Sequence, residues 1–255
     1  MRLILISALV GVCAFVRASQ IGLLPGERPF RHTFADPREI RMALAIETDA
    51  RLHAAVGNYF SLLSLEPEGI HFGFEGAGYF TMRQAEQRFP LETADGLIGA
   101  YLEGGEIWQW QLRFTHISAH LADGSLETPI PYSRETVSVR GGWLPIPELH
   151  LYGGIHFLTN SIPELPRFAF QCGGSYFLNP GGYRMVPFVA FDLKWRRETS
   201  NDPSFQAQMG VAINDPPEAY RSFRVFYSYY TGADPRGQFY FRSYTSHSLG
   251  IEMQI

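Results

Sequence analysis

Two residues whose types and spacing suit catalysis, His116 and Ser118, lie two positions apart near the middle of the sequence. In a β-strand, residues i and i+2 project from the same face, with their Cα atoms about 6–7 Å apart. Suitable rotamers bring the imidazole within hydrogen-bond reach of the hydroxyl, and the histidine can then activate the serine as a nucleophile. The spacing predicts a site that attacks esters, provided that a third group orients the imidazole.

Glu135 is the predicted orienting group. It shares its parity with the apolar residues of the following run, which are Val137, Val139 and Trp143. A hairpin through residues 121–131 would place this carboxylate on the strand next to His116, facing the same way. Histidine and serine are also ordinary residues at membrane interfaces and strand ends, so a purely structural role for the pair stays open.

The stretch that carries the pair alternates in polarity. Its even positions are apolar: Trp108, Trp110, Leu112 and Phe114. Its odd positions are polar: Gln109, Gln111 and Arg113. A period of two predicts a strand with one apolar and one polar face. Because the apolar parity continues into His116 and Ser118, we expect the candidate site on the apolar face.

Comparable runs recur from residue 38 onward, separated by turn sequences such as Asn-Pro-Gly-Gly and Ala-Asp-Gly. The runs span approximately residues 38–48, 51–64, 68–81, 95–104, 106–120, 132–144, 147–159, 166–178, 184–199, 204–213, 220–231 and 238–255. Single-chain outer-membrane barrels have an even number of strands. The predicted fold is therefore all-β, a single antiparallel transmembrane β-barrel of about 12 strands formed by residues 38–255.

The apolar parity of most runs is bulky, which favours a membrane barrel over a soluble one. A narrow soluble barrel has little room inside for so many large side chains, whereas a membrane barrel turns them toward lipid. The polar parity then lines the lumen, and its charged residues are Glu75, Arg113, Arg140, Asp192, Lys194, Arg196, Arg224, Arg242 and Glu252. Because both signs of charge are present, we expect ion pairs and a filled lumen, with a narrow channel as the alternative.

The N-terminal residues predict export from the cytoplasm, and the net charge argues against nucleic acid as a partner. The 255 residues carry a net charge of -4, which provides no basic footprint for nucleic acid. Residues 1–18 combine a positive start with a short apolar run, which indicates a cleaved signal peptide. The proline-rich residues 19–37 predict an extended segment in the periplasm. Removal of the signal leaves one cysteine, Cys172, so no intrachain disulfide is expected.

Motifs for other kinds of chemistry are missing from the sequence. It contains no Gly-x-Ser-x-Gly elbow, no phosphate-binding Walker loop, no dinucleotide fingerprint and no convincing spacing of metal ligands. We therefore expect no cofactor and no metal.

The C-terminal residues resemble the assembly signal of bacterial outer-membrane barrels through Ser248, Gly250, Met253 and Ile255. This resemblance implies two partners, the barrel assembly machinery and outer-membrane lipids.

Three patches together resemble an uncharacterised family of bacterial outer-membrane proteins, a domain of unknown function. They are Ala35-Asp36-Pro37-Arg38-Glu39, His116-x-Ser118-x-His120-Leu121-x-Asp123, and Gly232-x-x-Pro235-x-Gly237-Gln238-Phe239-Tyr240 with Leu249-Gly250 after it. The chain departs from the family pattern at Ala119, where serine is expected, and at Ala122-Asp123-Gly124. The resemblance covers approximately residues 35–255 and implies an outer-membrane barrel, with no established activity.

A second, local resemblance concerns His116-x-Ser118 alone. Two outer-membrane lipolytic barrels, phospholipase A and the lipid A 3-O-deacylase, also carry His-x-Ser on one strand. It implies an alternative function, the hydrolysis of phospholipid or lipid A esters in the outer leaflet by Ser118, His116 and Glu135. The sequence shows no asparagine after Ser118, and the donors of an oxyanion hole are not identified. The first hypothesis therefore remains a structural barrel of the cell envelope.

Overall fold

The structure, a computed structural model, describes residues 20–178, 184–196, 203–213 and 222–254. The predicted signal peptide at residues 1–18 and the terminal Ile255 lie outside the described residues. Within them, no helix is long and apolar enough to span a membrane.

The described chain is a succession of antiparallel strands. They are β1 (Gln20–Leu23), β2 (Met42–Glu47), β3 (Arg51–Glu66), β4 (Ile70–Arg83), β5 (Leu91–Gly104), β6 (Trp108–Leu121), β7 (Ser133–Ile146), β8 (Leu149–Ile162), β9 (Phe168–Phe177), β10 (Met185–Arg196), β11 (Ser204–Ile213), β12 (Ser222–Ala233) and β13 (Ser243–Gln254). Each strand from β2 to β13 pairs with the next, and β13 pairs back with β2. This closure confirms the predicted fold class, an antiparallel barrel of 12 strands.

Two of the strand boundaries that differ from the prediction have a clear structural cause. The first barrel strand starts at Met42 instead of residue 38, because the preceding residues turn into the barrel. The last starts at Ser243 instead of residue 238, because Gly237–Phe239 forms a short 3-10 turn. The structure also contains β1, which the sequence pattern did not indicate. It pairs with residues 63–66 of β3, beyond the part of β3 that pairs with β2.

The period-2 pattern gives the barrel two chemically different faces. On β6, Leu112 is 45% exposed on the outside, whereas its neighbour Gln111 is 1% exposed and faces the interior. Cys172 also faces outward, on the apolar parity that the sequence indicates. An apolar exterior around a polar interior is the arrangement of membrane barrels, and soluble barrels have the reverse.

The two ends of the barrel differ in their connections. One end, here called the loop end, carries the long connections 84–90, 122–132 and 234–242. The other, here called the turn end, carries the short connections 67–69, 105–107 and 147–148, together with the connections 178–184 and 214–221. Strand β6 runs from the turn end to the loop end. His116 and Ser118 therefore lie near the loop end.

Residues 25–41, here called the interior segment, run through the lumen between β1 and β2. Phe30, Ala35 and Glu39 of this segment are at most 2% exposed. Of residues 19–37, for which the sequence predicts an extended segment, residues 20–23 form β1 and residues 30–37 lie inside the barrel. Charge contributes to this placement, since Glu39 and Asp36 pair with Arg140 and Lys194 of the inner wall.

Candidate functional site

His116 and Glu135 face each other on the outer surface of the barrel. They are directly paired residues of the neighbouring strands β6 and β7. The Nδ1 atom of His116 lies 3.7 Å from Oε1 of Glu135, and each side chain is 37% exposed. A carboxylate at this position can orient the imidazole and stabilise its protonated form, which is the role of the third member of a catalytic triad.

Ser118 lies next to this pair on the same outward face. It is partly exposed, with Ser133 opposite it on β7 and Gly96 opposite it on β5. A Cβ atom added at Gly96 would lie 3.6 Å from the Ser118 Oγ atom, so the glycine leaves open space on that side of the hydroxyl. Among the described residues no hydrogen bond joins Ser118 to His116. Nucleophilic attack would therefore require a change of rotamer, which apo catalytic sites commonly need.

The inner side of the same strand end is held by the connection between β12 and β13. The Gln238 side-chain amide donates to the carbonyl oxygen of Ala119 at 2.5 Å and to that of Ile130 at 2.8 Å. Gly237 packs against Ala119 and Tyr132, where a Cβ atom would come within 2.5 Å of either side chain. The loop thus supports the backbone of β6 directly behind the outward site.

The predicted lumen residues of the barrel wall form ion pairs with each other. Arg113 donates through Nε to Oε1 of Glu75 at 2.6 Å. Arg224 pairs with Glu252, which Arg41 also approaches at 3.4 Å. All of these groups are buried. Buried charges persist only when they are paired, so these contacts explain how a narrow barrel tolerates them.

Two further lumen residues bind the interior segment. Arg140 of β7 donates through Nη1 to Oε2 of Glu39 at 3.2 Å. Lys194 of β10 donates through Nζ to Oδ1 of Asp36 at 3.0 Å. These contacts link two strands of the wall, β7 and β10, through a segment distant in sequence. They occupy part of the lumen with charge pairs in addition to packed side chains.

The remaining predicted lumen residues divide into two groups. Asp192 accepts from the hydroxyl of Tyr152 at 2.7 Å in the interior, and Arg196 lines the interior near the loop end. Arg242, which the sequence predicts in the lumen, does not line it. It lies in the connection 234–242, where it pairs with Glu127 of the connection 122–132 at 3.0 Å, with a side chain that is 40% exposed.

Sequence reasoning missed the acidic partners of the interior, Asp36 and Glu39. They lie outside the alternating strands, so a rule based on strand parity does not select them. The available signal was the patch Ala35-Asp36-Pro37-Arg38-Glu39, which the family resemblance had singled out. In the structure Arg38 binds Asp95 and donates to the carbonyl oxygen of Pro235 at 2.8 Å. The first and third patches of that resemblance therefore meet at the loop end.

The described residues include no group of three or more His, Cys, Asp or Glu side chains arranged to hold a metal ion.

Comparison with known proteins supports the fold. The family described as protein of unknown function (DUF1207) matches residues 93–254. No curated protein matches the sequence.

Two solved structures are similar to the barrel. Outer membrane phospholipase A from Escherichia coli has a TM-score of 0.60 and 11% identity, over 89% of this chain and 98% of that one. The outer membrane phospholipase dimer of Salmonella typhi with bound calcium has a TM-score of 0.59 and 9% identity, over 84% of this chain and 90% of that one. At such identities the similarity concerns the barrel fold.

Proposed function

We propose that this chain, which belongs to the DUF1207 family of proteins of unknown function, is an integral outer-membrane barrel whose interior is closed by its own N-terminal part. The observation that carries the proposal is the interior segment, which is held to two different strands of the wall, β7 and β10, by the pairs Arg140–Glu39 and Lys194–Asp36. The apolar exterior supports a location in lipid. A cleaved signal at residues 1–18 and recognition by the barrel assembly machinery complete the proposed route to the membrane.

The orientation follows from the two ends. Outer-membrane barrels have short periplasmic turns and longer extracellular loops. We therefore assign the turn end to the periplasm and the loop end to the outside, which places His116 and Ser118 at the depth of the outer leaflet.

Location and closure can be tested separately. Membrane fractionation of the expressed protein should recover it with outer membranes, and recovery in the soluble fraction would refute the membrane assignment. In planar bilayers the refolded protein should show no steady conductance. A variant lacking residues 20–41, which removes β1 and the interior segment, should conduct. Steady conductance by the unaltered protein would instead support the narrow channel.

A second candidate function is the hydrolysis of lipid esters. It is favoured by the outward placement of His116, Glu135 and Ser118, since an ester carbonyl in the outer leaflet would meet these groups directly. Two of the similar solved structures are described as outer membrane phospholipases, which adds support for this candidate. In this proposal Ser118 is the nucleophile, His116 the base and Glu135 the group that orients the base.

The matched control for this candidate is Ser133, the serine that lies directly opposite Ser118 on β7. Hydrolysis of phosphatidylcholine in mixed micelles should be lost in Ser118→Ala and retained in Ser133→Ala. Glu135→Gln should lower kcat while leaving the fold intact. Equal activity of the two alanine variants, or no activity of the wild type, would leave the closed structural barrel as the function.

A further inference from the structure

A cavity of about 150 Å³ lies inside the barrel near the loop end, separate from the outward site. It is bounded by the interior segment, by the connection 234–242 and by the inner faces of several strands. The residues that matter for its chemistry are Gln208, Asp95, Arg38, Glu47, Tyr230 and Tyr244. The ion pairs of the lumen do not fill it, so it has room for another molecule.

Gln208 directs an unused amide into this cavity. It is 3% exposed, and neither its Nε2 nor its Oε1 atom has a hydrogen-bond partner among the described residues. Its neighbour on the same face, Gln206, is different, because its Nε2 atom donates to the Ser228 hydroxyl at 2.9 Å. A buried donor and acceptor without partners lose their hydrogen bonds to water and gain none in return, so a molecule that bonds to both is favoured there.

Asp95 contributes a second open position. Its Oδ2 atom accepts from Arg38 and from the backbone N–H of Gly237 at 3.0 Å. Its Oδ1 atom is buried and has no partner among the described residues. The cavity therefore presents one free donor and two free acceptors on two different walls.

The charges around the cavity select the kind of ligand. Arg38, Arg41 and Arg236 supply positive charge, and Glu47 and Asp95 supply negative charge. Arg38 is paired with Asp95, Arg41 approaches Glu252 at 3.4 Å, and Arg236 pairs with Asp234 at 2.6 Å. An added anion would meet the carboxylates and an added cation the guanidinium groups, so neither is favoured. A hydroxyl group, by contrast, both donates and accepts.

Aromatic side chains complete the cavity. Tyr230, Tyr244 and Phe226 line it and offer apolar ring surfaces beside the polar groups. This combination of flat apolar surface with a few directed polar groups is typical of small-molecule sites. At ~30 Å³ per water molecule the volume corresponds to about five waters, or to one compact molecule of similar size.

The cavity is placed to receive a ligand from the loop end. His53, which lines it, has a side chain that is 29% exposed and therefore reaches solvent. We propose that this cavity binds one small uncharged polyol, such as a single sugar ring, between Gln208 and Asp95. The proposal is independent of ester hydrolysis, which takes place on the outer face of the barrel.

Saturation-transfer NMR of the refolded full-length protein in detergent micelles tests this assignment, with D-glucose and D-galactose as probes and D-gluconate as the charged comparison. Signal should pass to at least one of the two sugars and not to D-gluconate. It should be lost in Gln208→Leu, which removes the free amide. It should also be lost in Ala43→Leu, which fills the cavity and leaves its polar groups unchanged.

Thr231→Val is the matched control, because Thr231 lies on the outer face of β12 near the same end and should leave the signal unchanged. Heat-dependent gel mobility checks the folding of every variant, and Ala43→Leu decides the outcome if Gln208→Leu does not fold. Absence of signal with both sugars for the wild type would overturn the proposal and identify a cavity filled by water only. Signal that persists in Ala43→Leu would also overturn it.

Discussion

The side-chain amide of Gln238 donates to the backbone carbonyl oxygen of Ala119, the residue that follows Ser118, at 2.5 Å. Its Oε1 atom accepts from the backbone N–H of Ile130 at 3.0 Å. One side chain therefore holds the end of β6 and the connection 122–132 together on the inner side. The candidate chemical groups occupy the opposite side of the same strand, so their backbone is braced from within the barrel.

Gln238→Leu should destabilise the loop end. The substitution leaves the Ile130 N–H without its acceptor and removes the donor to two carbonyl oxygens, and each buried group left unsatisfied costs about 1–3 kcal/mol. We expect faster hydrogen exchange at residues 117–121 and 130–132, measured by mass spectrometry. Gln254→Leu, at a half-buried position of the turn end, is the control and should leave exchange at the loop end unchanged.

Arg140→Met should be strongly destabilising. Arg140 is 2% exposed and bonds to Glu39 and Gln111, so its loss leaves a buried carboxylate without its main counter-charge. Removing one partner of a buried pair costs about 3–5 kcal/mol in the free energy of unfolding. Urea titration of the refolded protein measures this, and Glu39→Gln combined with Arg140→Met should cost less than the sum of the single changes.

The exposed pair Arg51–Asp49 provides the comparison for that experiment. The Arg51 side chain is 33% exposed, and solvent screens the interaction. Arg51→Met should therefore change the free energy of unfolding by less than about 1 kcal/mol. Equal effects of Arg51→Met and Arg140→Met would contradict an interior segment held by buried charge.

Leu112→Arg should report on the lipid environment of the exterior. Leu112 is exposed in the middle of β6, where a charge on the lipid-facing side costs about 2–4 kcal/mol. Thr245→Arg, an outward position of β13 near the loop end, should cost about 0–1 kcal/mol because it lies close to the interface. Unfolding from lipid vesicles measures both variants. A Leu112→Arg protein as stable as Thr245→Arg would exclude a bilayer around this face.

Acidification should weaken the contact between the connections 122–132 and 234–242 at the loop end. A hydrogen bond from Arg242 and its charge hold the pKa of Glu127 below its usual range. The contact therefore stabilises the folded protein above the ordinary carboxylate pKa of about 4.3, and this contribution is lost as the pH falls through the lowered pKa.

Limited proteolysis of the connection 122–132 with pepsin, an acid-active protease, measures that release, with cleavage expected to rise only below the usual carboxylate pKa. At pH 5, above that threshold, Glu127→Gln should already be cleaved faster than the wild type. Cleavage that is the same for both proteins would show that the pair does not restrain the loops.

The barrel itself was predictable from single residues and their spacing. Alternation such as Leu112 beside Gln111 is local, because a strand turns successive side chains to opposite faces. All twelve predicted runs correspond to strands, and the outward face of His116 and Ser118 follows from the same parity. The position of Glu135 opposite His116 also followed, since a hairpin between adjacent strands leaves few registers.

The contents of the lumen could not be predicted in this way. Asp36 and Lys194 are 158 positions apart, and nothing periodic in either neighbourhood indicates that they meet. Buried charge has to find a partner, but the identity of the partner depends on which wall a non-repeating segment happens to pass. The same is true of the hydrogen bond from Gln238 to Ala119 and of the Gln208 amide, which has no hydrogen-bond partner among the described residues. Both arise only when the closed barrel brings distant strands and connections together.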